Sequence, residues 1–345
     1  MSSPEDLLKL VVRLVLVILV PALVAFGSYS LMRHFFFSPV DPTDNKTVLF
    51  QIPPKTTFQS ICRDLEAQGL VRYSWSLDII SRLKRVDKKI RAGEYALNKA
   101  MSPTEVLQTL VDGKVFERKV TVREGASIWD IGPIIEQAGL LSKDEFNAAL
   151  VNPQLIREAG IPEESGSFEG YLFPETYSFS RPVDPKYIIW RMLEEGQKKW
   201  PDDFTLRADD LKMTRHEILT LASIIEKESG TDVGEQAMIS AVFHNRLKEG
   251  MKLQADPTVI YGIPNFNGNL TKIDLETPTP YNTYTNFGLP PGPICNPGAT
   301  AIRAALYPAE TTAKYFVGNG QGGHVFSDTL DEHNRAVRQY QLGRQ

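Results

Sequence analysis

The chain repeats itself. Phe50-Gln-Ile-Pro-Pro-Lys-Thr-Thr-Phe-Gln-Ser-Ile aligns without gaps to Val120-Thr-Val-Arg-Glu-Gly-Ala-Ser-Ile-Trp-Asp-Ile, 70 positions further on. The register holds through Leu65-Glu-Ala-Gln-Gly-Leu and Ile135-Glu-Gln-Ala-Gly-Leu. The same apolar spacing written twice predicts the same local structure twice. Each copy reads as a short strand, a turn, and an amphipathic helix stopped by Gly69 or Gly139, residues suited to a left-handed cap. A second helix follows each, around Ser74 to Leu83 and Ser142 to Leu150. The copies occupy about 48–83 and 118–150. Between them the pattern predicts a strand at Gly93 to Leu97 and a helix opening at Ser102-Pro103. A further strand, Phe116 to Val122, leads into the second copy.

The N-terminus obeys a different rule. Leu14 to Met32 contains no charged side chain and is flanked by Lys9 and Arg13 before and Arg33 after. Its 19 residues are about enough to span a bilayer's hydrocarbon core. Pro21 is tolerable in such a helix. The run is long for a signal peptide and no small-x-small cleavage site follows it, so an uncleaved single-pass anchor is expected. The slightly richer basic flank before the span places the N-terminus in the cytoplasm and the remaining bulk outside. Ser38 to Lys46, rich in Pro, Asp and Asn, reads as a linker off the membrane.

Composition excludes more than it selects. A net charge of −4 and no run of Lys or Arg give no basis for nucleic-acid binding. The 5 histidines show no metal-ligand spacing, so neither a metal nor any other cofactor is expected. Cys62 and Cys295 lie in unrelated segments and imply no structural disulfide. Gly318-Asn-Gly-Gln-Gly-Gly fits a dinucleotide fingerprint by letter. It opens onto a strand-like run, His324-Val-Phe-Ser, where a pyrophosphate site needs a helix N-terminus, so it reads as a hairpin turn before a closing helix from about Leu330.

The stretch richest in chemistry runs from Thr214 to Gly230. Thr214 with Glu217 matches a capping box. Ile218, Leu221, Ala222 and Ile225 then recur at helical spacing, with Gly230 as a plausible stop. On that wheel Glu228 falls about 65° from the apolar centre and Glu226 about 95° away on the other side. The helix thus carries a carboxyl group toward the core at its own C-terminus. Burial and the negative end of the helix dipole both raise an acid's pKa, as a general acid at neutral pH requires. A second helix, Glu235 to Lys248, places Met238, Ala241, Val242 and Asn245 on one face and stops at Gly250.

Around these helices lie polar-aromatic segments. Gln254-Ala-Asp-Pro-Thr-Val-Ile-Tyr-Gly places amide, acid and hydroxyl before an apolar strand-like run. Tyr281-Asn-Thr-Tyr-Thr alternates rings with hydrogen-bonding groups, and irregular strands and loops are expected from the Gly250 stop through to Val317. The mixture suits a groove that stacks and hydrogen-bonds sugars. The strand, Gly-x-Ser-Ile and helix of Val122-Arg-Glu-Gly-Ala-Ser-Ile-Trp resemble the LysM module, a small glycan-binding fold.

Together these residues resemble a known family. Glu169-Gly-Tyr-Leu-Phe-Pro-Glu-Thr-Tyr, Leu221-Ala-Ser-Ile-Ile-Glu-Lys-Glu, Leu253-Gln-Ala-Asp-Pro-Thr-Val-Ile-Tyr-Gly, Tyr281-Asn-Thr-Tyr and Gly288-Leu-Pro-Pro-Gly are similar to segments of the endolytic murein transglycosylases, or YceG-like proteins. The resemblance implies an α+β chain in four parts: a tail and anchor (1–37), a linker (38–46), a LysM-like region (47–165) and a catalytic domain (166–345). It implies cleavage of the β-1,4 bond between N-acetylmuramic acid and N-acetylglucosamine within glycan strands, leaving a 1,6-anhydro end. It implies a cytoplasmic-membrane protein facing the cell wall, with peptidoglycan strands and peptidoglycan synthases as partners. The family's catalytic acid maps to Glu228, with Glu226 the lesser candidate. Ser229, Gln254, Asp256, Tyr281, Asn282 and Tyr284 are candidates for orienting the sugar. Two rivals stand beside this reading. One is a hydrolase with a second acid drawn from Asp256, Glu169 or Glu175, and the other a tethered glycan-binding scaffold.

Overall fold

A computed structural model describes residues 4–87, 89–229 and 233–342. It is a mixed α+β chain of two compact units. The first comprises Met1–Glu117 with Ser180–Pro182, the second Arg118–Phe179 with Val183–Gln345.

In the first unit, α1 (Pro4–Phe36) is a single helix that runs through Pro21. Its segment Val12–Phe36 is long and apolar enough to cross a membrane, and its most apolar window is not buried against protein. The linker after it is tied down. Arg72 donates from Nε to the Pro39 carbonyl (3.2 Å) and from Nη2 to that of Val40 (2.7 Å), and Asp44 pairs with Lys99 at 3.2 Å. The first repeat copy then folds as β1 (Val48–Ile52), α2 (Phe58–Ala67) and α3 (Ser74–Lys84). β2 (Gly93–Leu97) pairs antiparallel with β1, and α4 (Pro103–Val111) opens with the Ser102–Glu105 capping box. Phe50, Leu65, Leu70, Leu77, Tyr95 and Leu107 make a dry core. Each such side chain removed from water contributes about 1.5–3 kcal/mol.

The second unit begins with the second copy: β3 (Arg118–Thr121), α5 (Ile128–Gln137) and α6 (Lys143–Leu150). α2 and α5 occupy windows 70 residues apart, as the duplication predicts. Gly69 and Gly139 cap them with φ of 67° and 69°. In both, the next residue donates its amide back into the last turn, Leu70 to Leu65 at 2.9 Å and Leu140 to Ile135 at 3.2 Å. Only glycine takes that φ without a Cβ penalty, so the stop is built twice from one residue type.

The units part between residues 117 and 118, not at the 165/166 boundary that the sequence suggested. The reason is long-range pairing. β3 joins β4 (Thr176–Phe179) antiparallel, with Thr121 opposite Thr176. Ile128, Ile131, Ile135 and Phe146 then share one core with Phe168, Leu172 and Tyr177 and with α8 (Pro185–Lys198), α7 (Pro153–Glu158) bridging.

The rest of this unit is built around one helix. α9 (Asp202–Asp210) leads to α10 (Arg215–Ser229), whose residues are buried without a break from Ile218 to Glu226. Its start is the expected capping box: Thr214 donates from N and Oγ1 to Glu217, and the Glu217 amide donates to Thr214 Oγ1. Gly230, its expected stop, lies outside the described residues. α11 (Gln236–Lys248) is buried continuously from Ile239 to Phe243, a broader face than the predicted stripe.

The segment read as a strand-like run is instead helix α12 (Asp256–Tyr261). Pro257 sits in its first turn, where no amide hydrogen is needed, and Thr258 donates to the Ala255 carbonyl at 2.7 Å. Short helices α13 (Lys272–Glu276) and α14 (Ala299–Leu306) likewise replace part of the expected strands and loops. β5 (Tyr315–Gly318) and β6 (His324–Ser327) form the predicted hairpin around the glycine run, and α15 (Leu330–Val337) closes the chain.

Candidate active site

The tail of α10 opens on a cavity of about 410 Å³. Glu228 lines it with Gln254 and Asp256 before and at the start of α12, Tyr284, Arg246 of α11, Phe316 of β5, His324 of β6 and His333 of α15. The Glu228 side chain is half-buried. Its carboxyl is pushed up from the ordinary 4.5 to about 8, chiefly by burial and then by the charge of Asp256, against a lowering pull from Arg246. Among the described residues nothing hydrogen-bonds to it. At neutral pH it therefore holds a proton that it can give away.

Its neighbours are placed by backbone clasps. Gln254 stands at φ 50°, left-handed for a non-glycine residue, and donates its amide to the Thr283 carbonyl (3.2 Å). Such a conformation costs on the order of 1–3 kcal/mol and must be held by its surroundings. The holders are visible. The Thr258 and Thr283 hydroxyls meet at 2.8 Å, and the Ala255 amide donates to Thr283 Oγ1 at 3.0 Å. This bolts the start of α12 to the Tyr281–Thr285 loop, and Tyr284 reaches back to donate to Asp256 Oδ1 at 2.6 Å.

Arg246 works from beneath. Its Nε donates to the Lys314 carbonyl (2.7 Å) and its Nη1 to those of Leu253 (2.7 Å) and Lys252 (3.3 Å). One buried guanidinium thus joins α11, β5 and the strand of chain entering Gln254. His324 is held against Glu235, the residue just before α11, whose carboxylate accepts from the His324 backbone amide (3.0 Å) and meets its Nδ1 at 2.7 Å.

Of the residues singled out in the sequence, Glu228, Gln254, Asp256 and Tyr284 meet at this cavity. Ser229, Asn282 and Tyr281 do not line it. Ser229 is buried, accepts from Gln236 Nε2 (3.1 Å) and donates to the Glu226 carbonyl (3.3 Å). Asn282 is fully buried and spends its amide group on the carbonyls of Asp274, Leu275 and Thr277. The Tyr281 ring packs on Tyr261, centroids 4.8 Å apart. Glu226 is also elsewhere, accepting the Gly298 amide (3.0 Å) at the start of α14, and burial raises its pKa.

The other acids considered divide similarly. Glu169 is buried at an internal junction, accepting from the Ile128 amide (3.1 Å), Tyr261 Oη (3.2 Å) and Asn296 Nδ2 (3.4 Å). Burial lifts it to about 8 as well. Glu175 is exposed and bonds to the adjacent Thr176 amide. Asp256 alone of the three faces the cavity of Glu228.

Arg246, His324, His333 and Glu235 were not singled out in the sequence. Arg246 had a signal: it lies four residues after Val242 and seven after Ile239, so a charge falls on the buried face of α11. The histidines had none, because ordinary strand and helix residues surround them in the chain.

One acid holding a proton near neutral pH, with a second acid beside it in a polar, aromatic-edged hollow, is the equipment of a general acid–base enzyme. The family model described as the YceG-like family matches residues 50–339, and the chain belongs to that family. It is similar to the endolytic murein transglycosylase of Bacillus subtilis, 32% identical over 91% of this chain and 90% of that protein. It is also similar to the endolytic murein transglycosylase of Streptococcus pneumoniae D39, 30% identical over 92% of this chain, which spans 63% of that longer protein. Among solved structures, a putative YceG-like protein from Listeria monocytogenes matches with a TM-score of 0.59 and 31% identity, covering 84% of this chain and 99% of that one.

Proposed function

We propose that this chain is an endolytic lytic transglycosylase of peptidoglycan, cutting the bond between N-acetylmuramic acid and N-acetylglucosamine within glycan strands. The observation that carries the reading is Glu228, half-buried in the cavity wall beside Asp256, with its carboxyl pushed up to about 8 by burial and then by the Asp256 charge. Family membership and the names of the relatives support the substrate class.

The chemistry follows from one carboxyl group. Glu228 donates its proton to the glycosidic oxygen as the bond breaks, and the 2-acetamido group supports the positive charge at C1. The carboxylate so formed takes the proton of the muramic C6 hydroxyl, whose oxygen closes onto C1. The acid is regenerated, no water is consumed, and a 1,6-anhydro end results. Burial, and after it the charge of Asp256, keeps the proton on Glu228 in the resting site, and Asp256 favours positive charge in the cavity. Gln254 and Tyr284, which line the same cavity, orient the sugar.

Other features fit a wall-facing enzyme. α1 is read as a single-pass anchor with its N-terminus in the cytoplasm and both units on the cell-wall side. The strand–helix–helix–strand order of β1, α2, α3 and β2 supports reading the first unit as a LysM-like glycan-binding module. Peptidoglycan synthases are the partners the family suggests.

Product analysis tests the reaction. Isolated sacculi digested with the full chain should release fragments ending in 1,6-anhydro-muramic acid by mass spectrometry. Reducing ends in their place would mean a hydrolase using Asp256, and no release at all would mean a scaffold.

A further inference from the structure

The first unit has an apolar face that its own core does not use. α3 buries Leu77 and Ile80 but turns Trp75, Ile79 and Leu83 outward, with 45%, 41% and 79% of their surfaces exposed. They stand at i, i+4 and i+8, one row of the helix about 12 Å long at 1.5 Å per residue. Rows of this kind on a surface mark contact with something apolar.

What covers the row is indicated by where it starts. The Trp75 ring lies 5.3 Å from Phe35 and 5.8 Å from Phe36, and Tyr73 lies 5.3 Å from Phe35, between centroids. Phe35 and Phe36 are the last residues of α1, whose preceding stretch is long and apolar enough to cross a membrane. Indole and phenol rings gather at that depth, level with lipid headgroups. The row then runs on toward cations: Lys84, Arg85, Lys89 and Arg91 are all exposed around or just past the end of α3. An apolar row flanked by Lys and Arg is the pattern of a helix lying in the plane of a bilayer surface. The bonds from Arg72 to the Pro39 and Val40 carbonyls hold the chain between α1 and this unit short, so α3 stays beside the end of the span.

We propose that α3 is a membrane-surface helix. Trp75, Ile79 and Leu83 insert among the phospholipid headgroups where α1 leaves the bilayer, and Lys84 and Arg85 sit at lipid phosphates. The first unit is then seated on the membrane rather than swinging from a tether. The proposal rests on reading α1 as a membrane anchor.

The test uses the full chain in phospholipid nanodiscs containing anionic lipid. A polarity-sensitive fluorophore is placed on Leu83→Cys and, in a separate sample, on Leu23→Cys inside the span. Cys62 and Cys295 are buried, which keeps the labelling selective. The Leu83 label should emit at shorter wavelength and lose most of its intensity to nitroxide lipids labelled at headgroup depth. The Leu23 label should respond to nitroxides at the bilayer centre. Adding Trp75→Asp and Ile79→Asp should return the Leu83 label to aqueous emission while far-UV circular dichroism stays unchanged.

A quenched Leu23 label with an unquenched, water-like Leu83 label overturns the docking and leaves the anchor intact. An unquenched Leu23 label removes the anchor reading and the docking with it. A Leu83 label shielded from water but indifferent to lipid nitroxides assigns the row to a second copy or another protein, and also overturns the proposal.

Discussion

Glu228→Gln is expected to leave a folded protein that no longer releases fragments from sacculi. General acid catalysis is worth about 10²- to 10⁴-fold, and in the proposed mechanism the same carboxyl serves bond breaking and ring closure. The expected loss is therefore at or beyond the upper end. The amide is isosteric and uncharged, as the protonated acid is, so the cavity keeps its shape. The stability effect has a definite sign. A carboxyl lifted from 4.5 to about 8 by folding contributes nothing adverse below pH 4.5; it lowers stability progressively as pH rises, with the loss complete above about 8. The glutamine cannot ionise, so at pH 8 the variant should melt at the same temperature as the parent or higher. A variant that loses activity together with its fold would point to a structural role for Glu228.

Arg246→Ala is expected to be the most damaging change away from the carboxyl. It strips donors from the carbonyls of Lys314, Leu253 and Lys252 in a buried setting. Each unsatisfied buried acceptor costs about 1–3 kcal/mol, so a total of roughly 2–4 kcal/mol is expected after partial hydration. For a unit of this size that lowers the melting temperature by on the order of 5–15 °C. The chain entering Gln254 and Asp256 loses its clasp as well, so activity should fall at temperatures where the variant is still folded. Differential scanning calorimetry with parallel sacculus digestion measures both. A melting point within a degree of the parent would show that the guanidinium is not what joins these segments.

How much of this was readable in advance depends on how local the information is. The repeat was fully readable, because α2 and α5 are set by apolar spacing within ten residues and by Gly69 and Gly139 at their ends. The division into units was not. It depends on Thr121 finding Thr176, a pairing that no local pattern encodes. α12 was misread because Val259-Ile260-Tyr261 is too short to show its period, while Pro257 just before it was the usable signal. At the site, the helical wheel of α10 pointed to Glu228, and the polar-aromatic segments, with the family resemblance beside them, pointed to Gln254, Asp256 and Tyr284. Asn282 and Ser229 look alike in the sequence as sugar-binding polar residues. Their side chains are instead consumed by carbonyls and by Gln236. Polar residue type alone does not distinguish a group facing a cavity from one holding up its wall.

The claim on which the account turns is that Glu228 keeps its proton at neutral pH. The direct measurement is a titration of ¹³C-carboxyl-labelled glutamates by NMR, with Glu228→Gln, Glu169→Gln and Glu226→Gln spectra assigning the signals that burial displaces upward. Glu228 is predicted to titrate near 8, and Asp256→Asn should lower that value by removing a neighbouring negative charge. A Glu228 signal titrating near 4.5, like a carboxyl in open water, would contradict the account.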